Sequence, residues 1–167
     1  MTTTSPLDLS IPADEPVIRF TRFVRAPRGL VFAAFTEAEH LRRWWGPSIL
    51  ENVVCEVDLR VGGGYRIVQR APDGQEFGFH GEYLEIDAPR RVVSTFVFEG
   101  APDHPAVETV VLEETASGTL VRAETRHDSL SSRDAHVASG MEPGLRESYE
   151  RLDALLEARA GLGTAPA

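Results

Sequence analysis

The sequence predicts an α+β fold: a curved seven-stranded antiparallel sheet wrapped around a long C-terminal helix, with two short helices after strand 1. Three observations predict it. Strand-like segments separated by turn signals run consecutively from 52 to 127. An apolar stripe of Met141, Leu145, Tyr149, Leu152 and Leu156, three or four residues apart, follows them. One strand-like segment and a helical stretch ending in WWGP precede them.

Residues 1–15 are rich in Thr, Ser, Pro and Asp without periodicity, which predicts a mobile arm. The run VIRFTRFVRA from Val17 places Ile18 and Phe20 between arginines, as a strand does. Pro27 suits the first turn of a helix, and Leu30, Val31, Ala34 and Phe35 recur at helical spacing. Thr36 with Glu39 reads as a capping box for a second short helix carrying Ala38, Leu41 and Trp45. Gly46-Pro47 stops it.

Asn52 to Leu59 and Tyr65 to Arg70 read as strands about a Gly62-Gly63-Gly64 turn. That glycine run precedes a strand rather than a helix, so no helix N-terminus is available there to receive a phosphate. Pro72-Asp73-Gly74, Asp87-Ala88-Pro89 and the GAPDHPA loop bound strands at Glu76 to Ile86 and Arg91 to Phe98. Val107 to Glu114 and Thr119 to His127 form a final hairpin about Ser117-Gly118. Ser131 to Ala138 forms a separate leading turn. The long helix starts near Gly140, so that Pro143 falls in its first turn, and Gly161 ends it. A single domain over 16–160 follows, with 161–167 as a tail. A wide antiparallel sheet twists and curls, and one helix about 10 Å across cannot fill the trough. A cavity between helix and sheet is expected.

Composition removes several function classes. The formal net charge of −9 disfavours nucleic acid and anionic membrane surfaces, both of which need a basic face. All 17 basic residues are arginine, and the absence of lysine excludes Schiff-base chemistry and a P-loop. No apolar run approaches a membrane span, and the first residues do not read as a secretory signal. A single cysteine, Cys55, cannot form an internal disulfide, so a cytoplasmic location is expected. His40, His80, His104, His127 and His136 show no metal-ligand spacing, no G-x-S-x-G is present, and no metal or cofactor is expected.

Three segments carry a resemblance. FVRAPRGLVFAAFTEAEHLRRWWGP, then VDLRVGGGYRI with HGEYLEIDAPRRVVSTFVFEG, then SGMEPGLRESYERLDALL are similar to the activator-of-Hsp90-ATPase-homologue-like proteins. These belong to the START-like, SRPBCC superfamily of polyketide cyclases and the birch-pollen allergen. The resemblance spans about 17–160 and implies the helix-grip fold with a hydrophobic pocket between the C-terminal helix and the sheet. The family's founding member stimulates a chaperone ATPase, so that role is implied too. The small stand-alone bacterial type that this chain resembles looks like a ligand binder.

Candidate pocket residues are aromatic. Trp44 and Trp45 point about 100° apart on a helix, so one can enter the core while the other lies toward the cavity mouth; the alternative is that both simply close the end of the barrel-like sheet. Both outside would instead suggest a homodimer or partner contact. Phe77 with Phe79, and Phe96 with Phe98, share strand faces, and Tyr65 adds a fifth ring. Met141, Leu145 and Tyr149 face them from the helix. A small hydrophobic ligand, aromatic or polyketide-like, is the expected partner. The alternative is an enzyme of cyclase or dehydratase type, implied by the superfamily, which needs an ionisable group inside the pocket. Its candidates are His80, Glu82 and His127. His80 and Glu82 lie opposite Phe77 and Phe79, so one change of register decides whether they face water or cavity. At this point catalysis is open.

Overall fold

The computed structural model describes residues 5–164, and side chains as far as 159. In chain order the elements are β1 (Leu7–Ser10), β2 (Val17–Val24), α1 (Arg28–Thr36), α2 (Ala38–Trp44), β3 (Glu51–Val57), β4 (Gly64–Arg70), β5 (Glu76–Asp87), β6 (Arg91–Phe98), β7 (Ala106–Glu114), β8 (Thr119–Arg126), α3 (Leu130–Ala138) and α4 (Met141–Thr164). All strand pairs are antiparallel, in the spatial order β1-β2-β8-β7-β6-β5-β4-β3.

The sheet thus has eight strands, not seven. The added strand, β1, comes from the segment read as a mobile arm, and its Leu7 is buried in the core. Four residues are too few to show periodicity. What orders them is the free edge of β2, where Leu7 pairs with Arg22 and Ser10 with Arg19. Residues 1–4 of the arm and 165–167 of the tail lie outside the described residues. At the other end, α4 runs through Gly161 to Thr164.

The two short helices follow from the sheet order. β2 lies next to β8, whereas β3 is the far edge, so the chain crosses the mouth of the sheet between them through α1 and α2. The expected capping box does not form. Thr36 is the last residue of α1, and its hydroxyl donates to the Phe32 carbonyl at 2.7 Å. Glu37, in extended conformation, precedes α2 instead.

Curvature has a local cause. Register shifts fall between Asn52 and Val54 in β3 and between Tyr83 and Glu85 in β5. Each bulge bends its strand and increases the twist. The concave face receives Ile67 from β4, Val110 and Leu112 from β7 and Val121 from β8, all in one core cluster. α4 packs Tyr149, Leu152 and Leu156 into that cluster, the two leucines almost without exposure. Arg22 of β2, 2% exposed, ties the helix down through two bonds to the Asp153 carboxylate, at 3.0 and 2.7 Å. No helix among the described residues is long and apolar enough to cross a membrane.

Candidate functional site

α4 fills the trough unevenly. Its C-terminal half sits in the core, but the face of its first turns carries Gly144 and Ser148 beside Met141 and Leu145. Small residues there leave the concave sheet uncovered. The result is a cavity of about 1060 Å³ bounded by the sheet, α1, α2, α3 and the start of α4. This is at the upper end of the range for small-molecule sites, roughly 300–1000 Å³.

Alternation along the strands decides what lines it. Register pairs Phe79 with Ile67 on one side and Phe98 on the other, and Phe77 with Gln69, so these side chains share the inner face. Phe79 stacks on Phe96 at 5.7 Å and meets Phe98 at 5.3 Å and Trp45 at 5.1 Å. Trp44, Tyr65 and Tyr149 line the cavity as well, together with Met141 and Leu145. Every residue expected in a pocket from sequence therefore stands on this one wall system.

The two tryptophans divide at the end of α2, which stops at Trp44 rather than carrying Trp45; Trp45 is its C-cap, in extended conformation. Trp44 is 3% exposed, donates its indole N–H to the Ala34 carbonyl at 2.8 Å, and packs edge-on against Tyr149. Trp45 is half-buried and turns its ring towards Phe79. Gly46 then takes φ +82°, and a Cβ there would collide with the Gln69 side chain. Gln69 donates to Asn52, whose amide in turn donates to the carbonyls of Arg42 and Trp45. The WWGP stretch thus places one ring in the core and one in the cavity wall before the chain turns into β3.

The catalytic candidates are not brought together. His80 and Glu82 are exposed on the convex face, because Phe77 and Phe79 occupy the inner positions of β5. His80 Nδ1 lies 2.8 Å from the Glu99 carboxylate, which also accepts two bonds from Arg66. Those bonds, Arg66's first, hold Glu99 at a pKa of about 2. This is a solvent-facing ion network, not a cavity pair. His127 does line the cavity. Its Nε2 lies 3.0 Å from Nδ1 of His136, whose ring stacks on Phe96. Desolvation, with the neighbouring His127 second, brings His136 down to about 4, and desolvation lowers His127 too. Burial thus favours the neutral form of both rings.

Glu108, not among the candidates from sequence, also lines the cavity. It stands on the inner face of β7 between Ala106 and Val110, opposite Ser94 on one side and Thr125 on the other. What surface it exposes faces the cavity. Desolvation pushes its carboxyl up to about 7, against the opposing hydrogen bond from Thr125. Its charge reaches the hydroxyls of Tyr65, Tyr83 and Tyr149, whose pKa values are raised mainly by burial and further by Glu108. The signal was in the pattern Ala106-Glu108-Val110-Leu112, where a carboxylate interrupts an apolar period-two face. Tyr83, two strand steps beyond Phe79, was legible in the same way. His136 had no such signal, since it reaches the cavity only through the packing of α3. Among the described residues no cluster of three or more His, Cys, Asp or Glu side chains could hold a metal.

A long helix gripped by a curved antiparallel sheet, with an aromatic-walled cavity between them, defines a START-like protein of the SRPBCC superfamily. Within it, the family model for Activator of Hsp90 ATPase homolog 1-like protein matches residues 25–157, and the chain belongs to that family. Solved structures agree. A Rhodobacter sphaeroides protein shares the fold at a TM-score of 0.84 and 24% identity, over 92% of this chain and 99% of that one. A Nitrosomonas europaea protein superposes at 0.80 with 28% identity, over 90% and 99%. One from Chromobacterium violaceum does so at 0.76 with 29% identity, over 85% and 98%. No curated protein matched the sequence.

Proposed function

We propose that this protein binds a small hydrophobic molecule, flat and aromatic or polyketide-like, in the cavity between α4 and the sheet. The observation that carries this reading is the continuous wall of Trp45, Phe79, Phe96 and Phe98 around a volume of about 1060 Å³. Aromatic faces and edges offer flat apolar ligands large contact area at low entropic cost. Family membership supports it, because the helix-grip fold fits a ligand-binding role. The cyclase or dehydratase alternative retains only His127 of its three expected residues in the cavity, so binding is the better-supported function.

The test uses an uncharged aromatic probe, 1-naphthalenemethanol. Binding to the native state raises its stability by about 2.7 kcal/mol at a hundredfold excess over Kd. We expect a rise in melting temperature together with a change in tryptophan fluorescence, since both tryptophans border the cavity. If neither changes with this probe or a panel of other apolar ring compounds, the cavity is not a binding site.

A further inference from the structure

The cations near the cavity are already committed. Arg22 is held by Asp153, Arg91 of β6 by Glu85 at 3.1 Å, and His104 by Asp128 at 2.9 Å. His127 and His136 bond to each other, and burial favours their neutral forms, so neither supplies a cation. Glu108, in contrast, makes no ion pair among the described residues. It lines the same cavity as Tyr65 from β4, Tyr83 from β5 and Tyr149 from α4, with Ser94 of β6 and Thr125 of β8 across the ladder. Glu108 is half-buried on the inner face of a largely apolar cavity; a carboxylate there with no cation is costly, and it favours an occupant that supplies one. The walls point the same way, because the faces of tryptophan, tyrosine and phenylalanine attract cations.

We propose that the cavity selects a flat apolar molecule carrying a protonated amine, whose ammonium pairs with Glu108 while its rings lie among the aromatic walls. This rests on the cavity being an apolar binding site and adds the chemical class of its ligand. The interaction depends on pH with a definite sign. The empty site holds Glu108 protonated below about pH 7, and pairing requires the carboxylate. Ammonium binding therefore strengthens as pH rises through that value and is accompanied by proton release below it.

Isothermal titration calorimetry with 1-naphthylmethylamine, 1-naphthalenemethanol and 1-naphthoic acid separates charge from shape. At pH 8 the amine is expected to bind about tenfold or more tightly than the alcohol, as a charge-assisted hydrogen bond implies, with the acid weakest. Between pH 6 and pH 8 the amine's affinity rises roughly tenfold while the alcohol's does not. Glu108→Gln brings the amine down to the alcohol's affinity. Equal binding of all three probes, or an amine preference that survives Glu108→Gln, overturns the proposal and leaves the apolar cavity standing. If none of the three binds, both readings fall. Should Glu108→Gln not fold, the wild-type pH series decides, and a pH-independent amine affinity overturns the proposal.

Discussion

Trp44 and Trp45 are adjacent in sequence, yet removing them should cost different things. Trp44 is enclosed by Phe35, Tyr149 and the Ala34 carbonyl. Trp44→Ala leaves a large void and an unpaired carbonyl, and is expected to lower stability by about 3–5 kcal/mol in urea denaturation. Trp45 already has the cavity on one side, so fewer contacts are lost. Trp45→Ala should cost less than about 2 kcal/mol. It should instead weaken 1-naphthalenemethanol binding by about tenfold, in line with the loss of an aromatic contact. Equal losses of stability from the two substitutions would show that the rings share one packing role.

At the scale of elements, the joint between β2 and α4 is the Arg22–Asp153 pair. The guanidinium is buried, also donates to the Phe23 carbonyl at 2.7 Å, and lies over the Tyr149 ring at 5.9 Å. Asp153→Ala strands that charge inside the fold and should cost about 3–5 kcal/mol. Replacing both partners, Arg22→Met with Asp153→Leu, should recover most of it, because the desolvation of two charges is then avoided. A double variant as unstable as Asp153→Ala would mean that Arg22 holds α4 through Phe23 and Tyr149 instead. The same joint bears on the site. It anchors the C-terminal half of α4, and so sets how far the first turns stand off the sheet.

At the scale of the whole molecule, two cavity groups pull the pH profile of stability in opposite directions. Glu108 has its folded pKa raised from 4.5 to about 7, so its contribution is fully present below about 4.5 and is lost as pH rises through 7. His136 has its folded pKa depressed from 6.5 to about 4, so its contribution is present above 6.5 and is lost as pH falls through 4. Each amounts to something on the order of 3 kcal/mol at its full extent. Between pH 4.5 and 6.5 the two offset each other. Thermal melts of Glu108→Gln should therefore gain on the wild type as pH rises from 4.5 to 8. Those of His136→Asn should gain as pH falls from 6.5 to 4. Parallel profiles for wild type and Glu108→Gln would show that the carboxyl is not desolvated.

The order of the elements after β1, the inner faces of the strands and the aromatic wall of the cavity are all legible in the sequence. Each rests on local signals. Period-two alternation aims Phe77, Phe79, Phe96 and Phe98 together, and Gly or Pro marks the turns. The outward aim of His80 and Glu82 follows from that alternation once Phe79 is fixed inward. The remainder depends on contacts between distant elements. β1 exists because β2 has a free edge, and Leu7 has no pattern of its own to announce it. α4 passes Gly161 without a break at a position where the sequence suggests a stop. Glu108 carries its meaning only in three dimensions. A strand glutamate is ordinarily a solvated residue, and it is partly desolvated here because β6 and β8 flank it and residues from β4, β5 and α4 wall the same cavity, from distant parts of the chain. Desolvation depends on everything within a few ångströms, and no window of neighbouring residues contains that information.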